Sequence, residues 1–157
     1  MKSAHAQQDE KLYLNKFEPQ EFELDAYSPS ESPWKDNKKN SAFERHLVKL
    51  MRVEVRLWGL QEYLRTQAPG LGEKAEIAGD AADVAGHATQ IIHSDILDAA
   101  DKALAMLRRS PNGALTQLLL HRLESYPYDW AEEGWEDLIS NLRKLIAPPT
   151  DKPGQRK

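Results

Sequence analysis

The residues of this chain with the widest chemical range are its five histidines, His5, His46, His87, His93 and His121, and the acids near them. Two histidines stand at helical spacing from a carboxylate. Asp83 and His87 are four apart, and His121 and Glu124 are three apart, so on a helix each pair shares a face and could present two ligands to one divalent ion. A di-iron helical bundle requires more: a Glu-x-x-His motif on each of two helices and single glutamates on two others. The sequence holds no Glu-x-x-His and no His-Glu-x-x-His. Each pair therefore reads as a surface ion pair or as a histidine bonded to a carbonyl.

Ser94 lies between His93 and Asp95. Consecutive side chains on a helix diverge by about 100°, so these three cannot converge as a triad. No nucleophile elbow and no glycine-rich phosphate loop occurs. The segment from Gly79 to His87 lacks the lysine of a phosphate loop and sits inside a helical period. With no cysteine in the chain, thiolate chemistry, thiolate metal sites and disulfides are excluded. No catalytic, metal or cofactor residue is assigned, and no cofactor is expected.

Charge offers a different kind of site. Arg45, Lys49, Arg52 and Arg56 recur at steps of four, three and four, forming one positive face on a helix. Such a face suits a solvated surface, pairing with the acids at Asp80, Asp83, Asp95, Asp98 and Asp101, an acidic partner, or a nucleic-acid backbone. The net charge of -4 disfavours general nucleic-acid binding. No aromatic residue is interleaved with the cations as a stacking platform.

The elements that would position these groups are helices. Ser41 and Glu44 form a capping box ahead of a long apolar period. Phe43, His46, Leu50, Val53, Leu57, Leu60 and Leu64 follow at steps of three and four, as an inward seam does. Leu47, Met51, Val55 and Trp58 widen the apolar surface, which predicts contact on two sides. The segment Ala68-Pro69-Gly70-Leu71-Gly72 ends the helix. A second helix is predicted from about Glu73 to Arg109, its stripe being Ile77, Ala81, Val84, Ala88, Ile92, Ile96, Ala99, Ala103 and Met106, with a fresh cap available at Ser94 or Asp95. A short helix buries Leu115, Leu118, Leu119 and Leu123. A last one, capped by Asp129 with Glu132, presents Trp135, Leu138, Ile139, Leu142, Leu145 and Ile146.

The expected fold is mainly α: a long antiparallel hairpin and two shorter helices make a bundle over residues 41–147. Residues 1–40 read as an extended arm with short β segments at Lys11–Phe17 and Glu21–Ala26, and residues 148–157 as a flexible polar tail. No stretch approaches a membrane span, and Met1–Glu10 lacks the apolar core of a signal peptide, so a cytoplasmic location is expected.

Function follows by elimination. The expectation is a non-enzymatic protein–protein interaction module, an adaptor, assembly or regulatory bundle of coiled-coil type that binds another protein or itself. Its candidate contacts are Phe17, Phe22, Tyr27, Trp34 and Trp130 as aromatic anchors, and Arg45, Lys49, Arg52 and Arg56 as charges. A nucleic-acid accessory protein using the basic stripe, and a metal-dependent helical enzyme, are the alternatives.

Overall fold

The computed structural model describes residues 24–126 and 133–146. Four helices carry the fold: α1 (Lys38–Gln67), α2 (Ala75–Arg109), α3 (Gly113–Glu124) and α4 (Trp135–Ile146). The protein is mainly α, a long antiparallel hairpin with two shorter helices. No strand occurs among the described residues. Of the predicted strand at Glu21–Ala26, residues 24–26 are helical instead; the rest of it and the Lys11–Phe17 segment lie outside the described residues. Alternation over six residues is too short a signal to separate a strand from a helical turn that buries one leucine.

α1 begins three residues before the predicted cap. Asn37 is the cap, and its side chain accepts a hydrogen bond from the Asn40 N–H at 3.0 Å. Asn caps as well as Ser does, and the earlier start places Ser41 and Glu44 inside the helix, where both are buried. α2 is continuous from Ala75 to Arg109, so Ser94 and Asp95 do not cap a new helix. Between α1 and α2 the chain turns through a 3-10 stretch, Ala68–Lys74, in which Gly72 adopts φ 60°, ψ -118°. This left-handed value favours glycine because a Cβ would clash there.

Contacts down the hairpin fix its sense. Glu54 meets His93, Gln61 meets Gly86, and Arg65 meets Asp83. One number climbs as the other falls, as antiparallel helices require. The predicted seams, however, do not line this interface throughout. On α1, His46 and Leu60 are exposed, and Phe43, Leu50, Val53, Leu57 and Leu64 are half-buried. The buried face is instead Leu47, Met51 and Val55 with Glu44, Glu54, Gly59 and Gln61. On α2 the stripe is correct from Ile96 onward. Before that point Ala78, Ala82, Ala85, Thr89 and His93 are buried, whereas Ile77, Ala81 and Val84 face solvent.

The core sits at the end of the hairpin away from its turn. Leu107, Leu115, Leu119, Leu123 and Leu142 fill it together with Leu24 and Trp34. The described part of the arm therefore belongs to the same core as the helices. Trp34 is 1% exposed, and its indole N–H donates to the Ser110 carbonyl at 2.8 Å. Complete burial of so large an aromatic makes this one of the most stabilising side chains present.

Gly79 and Gly86 lie seven apart on α2 but differ in surroundings. A Cβ at Gly79 would meet nothing within 4 Å, whereas one at Gly86 would stand 2.6 Å from the Gln61 amide nitrogen. Gly79→Ala should raise unfolding free energy by about 0.5–1 kcal/mol through helix propensity. Gly86→Ala should gain less or nothing, because the buried Gln61 must move. Urea titration of both variants checks the contrast.

Candidate interaction surface

Two buried glutamates on α1 decide how much of the hairpin is covered. The Glu44 Oε2 accepts from the Tyr27 hydroxyl, the Ser32 hydroxyl and the Asn112 side-chain amide, each at 2.7 Å. Asn112 also caps α3, its Oδ1 accepting from the Leu115 N–H at 3.1 Å. Ser32 in turn accepts from the Trp34 backbone N–H and from Asn112. One carboxylate thus ties together the arm, α1 and the α2–α3 turn. Burial first, and then the Glu44 carboxylate, push the Tyr27 phenol well above its ordinary pKa of 10.0.

One helical stretch further on, Glu54 Oε1 accepts from the Arg122 Nε at 2.6 Å. Both groups are almost wholly buried. The Arg122 guanidinium lies 5.6 Å from the Trp58 ring centre and 5.3 Å from that of Tyr126, a cation held between aromatic faces. His93 packs its ring 4.0 Å from Tyr126 and places Nδ1 3.6 Å from Glu54 Oε2. Glu54 Oε2 accepts no hydrogen bond among the described residues. Burial, followed by the nearby Glu54 carboxylate, raises the Tyr126 phenol far above its usual range.

Glu44 to Asn112 and Glu54 to Arg122 are both steps of 68 residues. α3 therefore runs parallel to α1 in a single register. Its 12 residues span only about 18 Å at ~1.5 Å per residue, so it covers α1 from near Glu44 to near Glu54. The Glu54, Arg122, Tyr126 and His93 group closes that covered half. Beyond it, among the described residues, 59–90 form a bare pair of helices.

That bare pair presents apolar side chains. Leu60 is 47% exposed, Leu71 43%, Ile77 69%, Val84 68% and Ile91 64%, and only Leu145 among the other large apolar residues described is comparably open. On α2, Ile77, Ala81, Val84, Ala88 and Ile91 step by four, three, four and three. On α1, Leu60 is exposed and Leu64, four residues on, is half-buried.

The predicted contacts are distributed differently. Trp34 is buried, which removes it as an anchor, and Tyr27 is half-buried and bonded to Glu44. Arg52 donates to the Leu24 carbonyl at 2.8 Å and pairs with Asp25, and Arg45 donates to the Ser41 hydroxyl at 2.8 Å. Arg45 and Arg52 of the basic stripe thus engage their own chain. Lys49 and Arg56 are exposed. Phe17, Phe22 and Trp130 lie outside the described residues.

The carboxylates of the two candidate ligand pairs are engaged in ion pairs. Asp83 pairs with Arg65 at 3.8 Å, and Glu124 pairs with Arg143 at 3.0 Å. Asp98, Asp101, Glu133 and Asp137 line an open groove between α2 and α4. Among the described residues no three of His, Asp or Glu converge as metal ligands do. No helix among them is long and apolar enough to cross a membrane.

The described residues form an α-helical bundle whose hairpin end exposes apolar side chains. No known protein family, curated protein or solved structure matches the chain.

Two tests probe the buried groups. Arg122→Met leaves the Glu54 carboxylate without its donor and should destabilise the fold by about 3–5 kcal/mol, whereas Glu54→Met with Arg122→Met should recover most of that loss. Denaturant unfolding of the single and double variants measures both. Tyr27 and Tyr126 hold their protons longer in the native state than in the unfolded chain. Their contribution is therefore complete below pH 10.0 and is lost as pH rises beyond it. Unfolding midpoints followed upward from pH 9 should fall more gently in Tyr126→Phe than in the parent.

Proposed function

We propose that this chain is a non-enzymatic protein–protein interaction module that binds through the bare end of its hairpin. One observation carries the reading: five of the six strongly exposed large apolar side chains fall between residues 60 and 91. Scattered single apolar residues are ordinary on a protein surface. A concentration of them on one extension marks a surface that becomes buried against something else. Three of them, Ile77, Val84 and Ile91, stand seven apart on α2 with Ala81 and Ala88 between, a repeat that suits a helical partner, since its knobs fit holes made by another helix.

The shape agrees with this role. The covered half supplies the core and holds the base of the hairpin. The bare half buries Gly59, Ala78, Ala82 and Ala85 between its two helices, side chains that contribute little apolar area each. The large residues are turned outward. The basic-stripe reading draws less support, because Arg45 and Arg52 are engaged within the chain.

Affinity capture from native-host extract tests the proposal, with the full chain compared against Ile77→Asp/Val84→Asp. The variant should keep its helical circular dichroism and lose at least one protein that the parent retains, whether foreign or a tagged second copy. Identical capture by both chains would remove the reading.

A further inference from the structure

We propose that the groove between the start of α1 and the end of α2 binds a small organic phosphate, a phosphate monoester whose apolar body rests on Phe43 and Met106. The site lies at the opposite end of the hairpin from residues 60–91 and stands apart from the interaction reading above.

The groove forms where two helix ends lie side by side. The beginning of α1 contributes Asn37, Lys39 and Phe43, and the last turns of α2 contribute Lys102, Met106 and Arg109. Its volume is about 530 Å³, inside the ~300–1,000 Å³ range of small-molecule sites. Phe43 and Met106 are half-buried and pack against the core. Their remaining surface lines the groove, and an aromatic ring beside a thioether makes a polarizable floor for an apolar body.

Charge selects the other half of the ligand. Lys39, Lys102 and Arg109 all face the groove, and no acid lines it. The chain has 25 Asp and Glu residues to offer as partners, yet among the described residues none pairs with these three cations. Cations near a helix C-terminus can instead serve its last carbonyls. Only Arg109 does so, its Nε donating to the Ala105 carbonyl at 3.3 Å. Its terminal nitrogens and the two ammonium groups bond no other group among the described residues. Three like charges around one groove repel one another, and an anion set between them relieves that repulsion.

The count of charges and oxygens favours phosphate. A carboxylate brings two oxygens and one charge. A phosphate monoester brings three free oxygens and close to two charges at neutral pH, enough to meet cations from both helices at once. Asn37 adds a donor: its Oδ1 is taken by the Asn40 N–H, which leaves its amide NH2 as the end a ligand can use. Inorganic phosphate would leave Phe43 and Met106 in water, and an uncharged apolar molecule would leave the cations unanswered. The lining holds no histidine and no carboxylate to act as general base, so the expected event is binding without turnover.

NMR titration of the full chain at low ionic strength tests this, with phenyl phosphate as the probe. Amide shifts should centre on residues 37–43 and 102–110, with inorganic phosphate and phenol each binding at least about tenfold more weakly. Lys102→Gln and Arg109→Gln should each weaken phenyl phosphate about tenfold, as loss of one charge-assisted hydrogen bond does. Both positions are exposed, so helical circular dichroism should not change. Arg108→Gln removes a charge from the same turn but outside the lining, and should alter affinity by no more than about twofold. Adenosine monophosphate and glycerol phosphate separate the sources: tighter binding of the first assigns a nucleotide, and of the second a lipid-derived phosphate. Absence of shifts at millimolar probe overturns the proposal, as do shifts centred elsewhere. Phenol binding as well as phenyl phosphate overturns it too. So does an equal loss in Arg108→Gln and Lys102→Gln, which would reduce the site to a general positive field.

Discussion

A carboxylate placed where water cannot reach must be met by donors from the protein, and this chain places two on one helix. Glu44 and Glu54 sit on the inward face of α1 and are fully buried. Leaving such a group unpaired is far more costly than losing an ordinary surface contact. The donors come from elsewhere in the chain: Tyr27 and Ser32 before α1, Asn112 and Arg122 after α2. Packing of greasy side chains alone would accept several registers of α3 against α1. Two acids with dedicated partners accept one. The arm, the α2–α3 turn and both ends of α3 are positioned by this requirement.

The same requirement shapes the surface. Because α3 is tied at both ends within its own 12 residues, it cannot reach the distal hairpin. There α1 and α2 approach through Gly59, Gln61, Gly86, Ala82 and Ala85, small or flexible groups that permit close contact. The bulkier Leu60, Ile77, Val84 and Ile91 are excluded from that narrow space and face outward. A two-helix layer has few places to hide such residues, so they leave water only where a further layer covers them.

Much of the architecture was legible in residue order. The hairpin, its turn at the Pro69–Gly72 breakers, and the inward leucines of α3 all follow from periodicity and punctuation. The direction of each seam was not. A repeat of three and four says that Leu50, Val53, Leu57 and Leu60 share a face; it does not say whether that face meets this chain or another. Nor could Glu44 be recognised as buried. Three residues after Ser41 it resembles a capping glutamate, and its actual partners, Ser32 and Asn112, come from segments that only the folded chain brings beside it. Arg122 and Glu54 escaped notice for the same reason, since a separation of 68 leaves no local pattern. Trp34 among Pro33 and Lys35 has the neighbours of a surface aromatic, and its burial depends on a carbonyl at Ser110.

The equal spacing of the two glutamate pairings separates reach from foundation. Both acids precede the hairpin turn and both of their donors on α3 follow it. Adding whole heptads to α1 and α2 together, beyond Glu54 and before His93, would change both offsets by the same amount and leave the pairings intact. The distal rods can therefore lengthen or shorten over evolutionary time like a boom on a fixed mast.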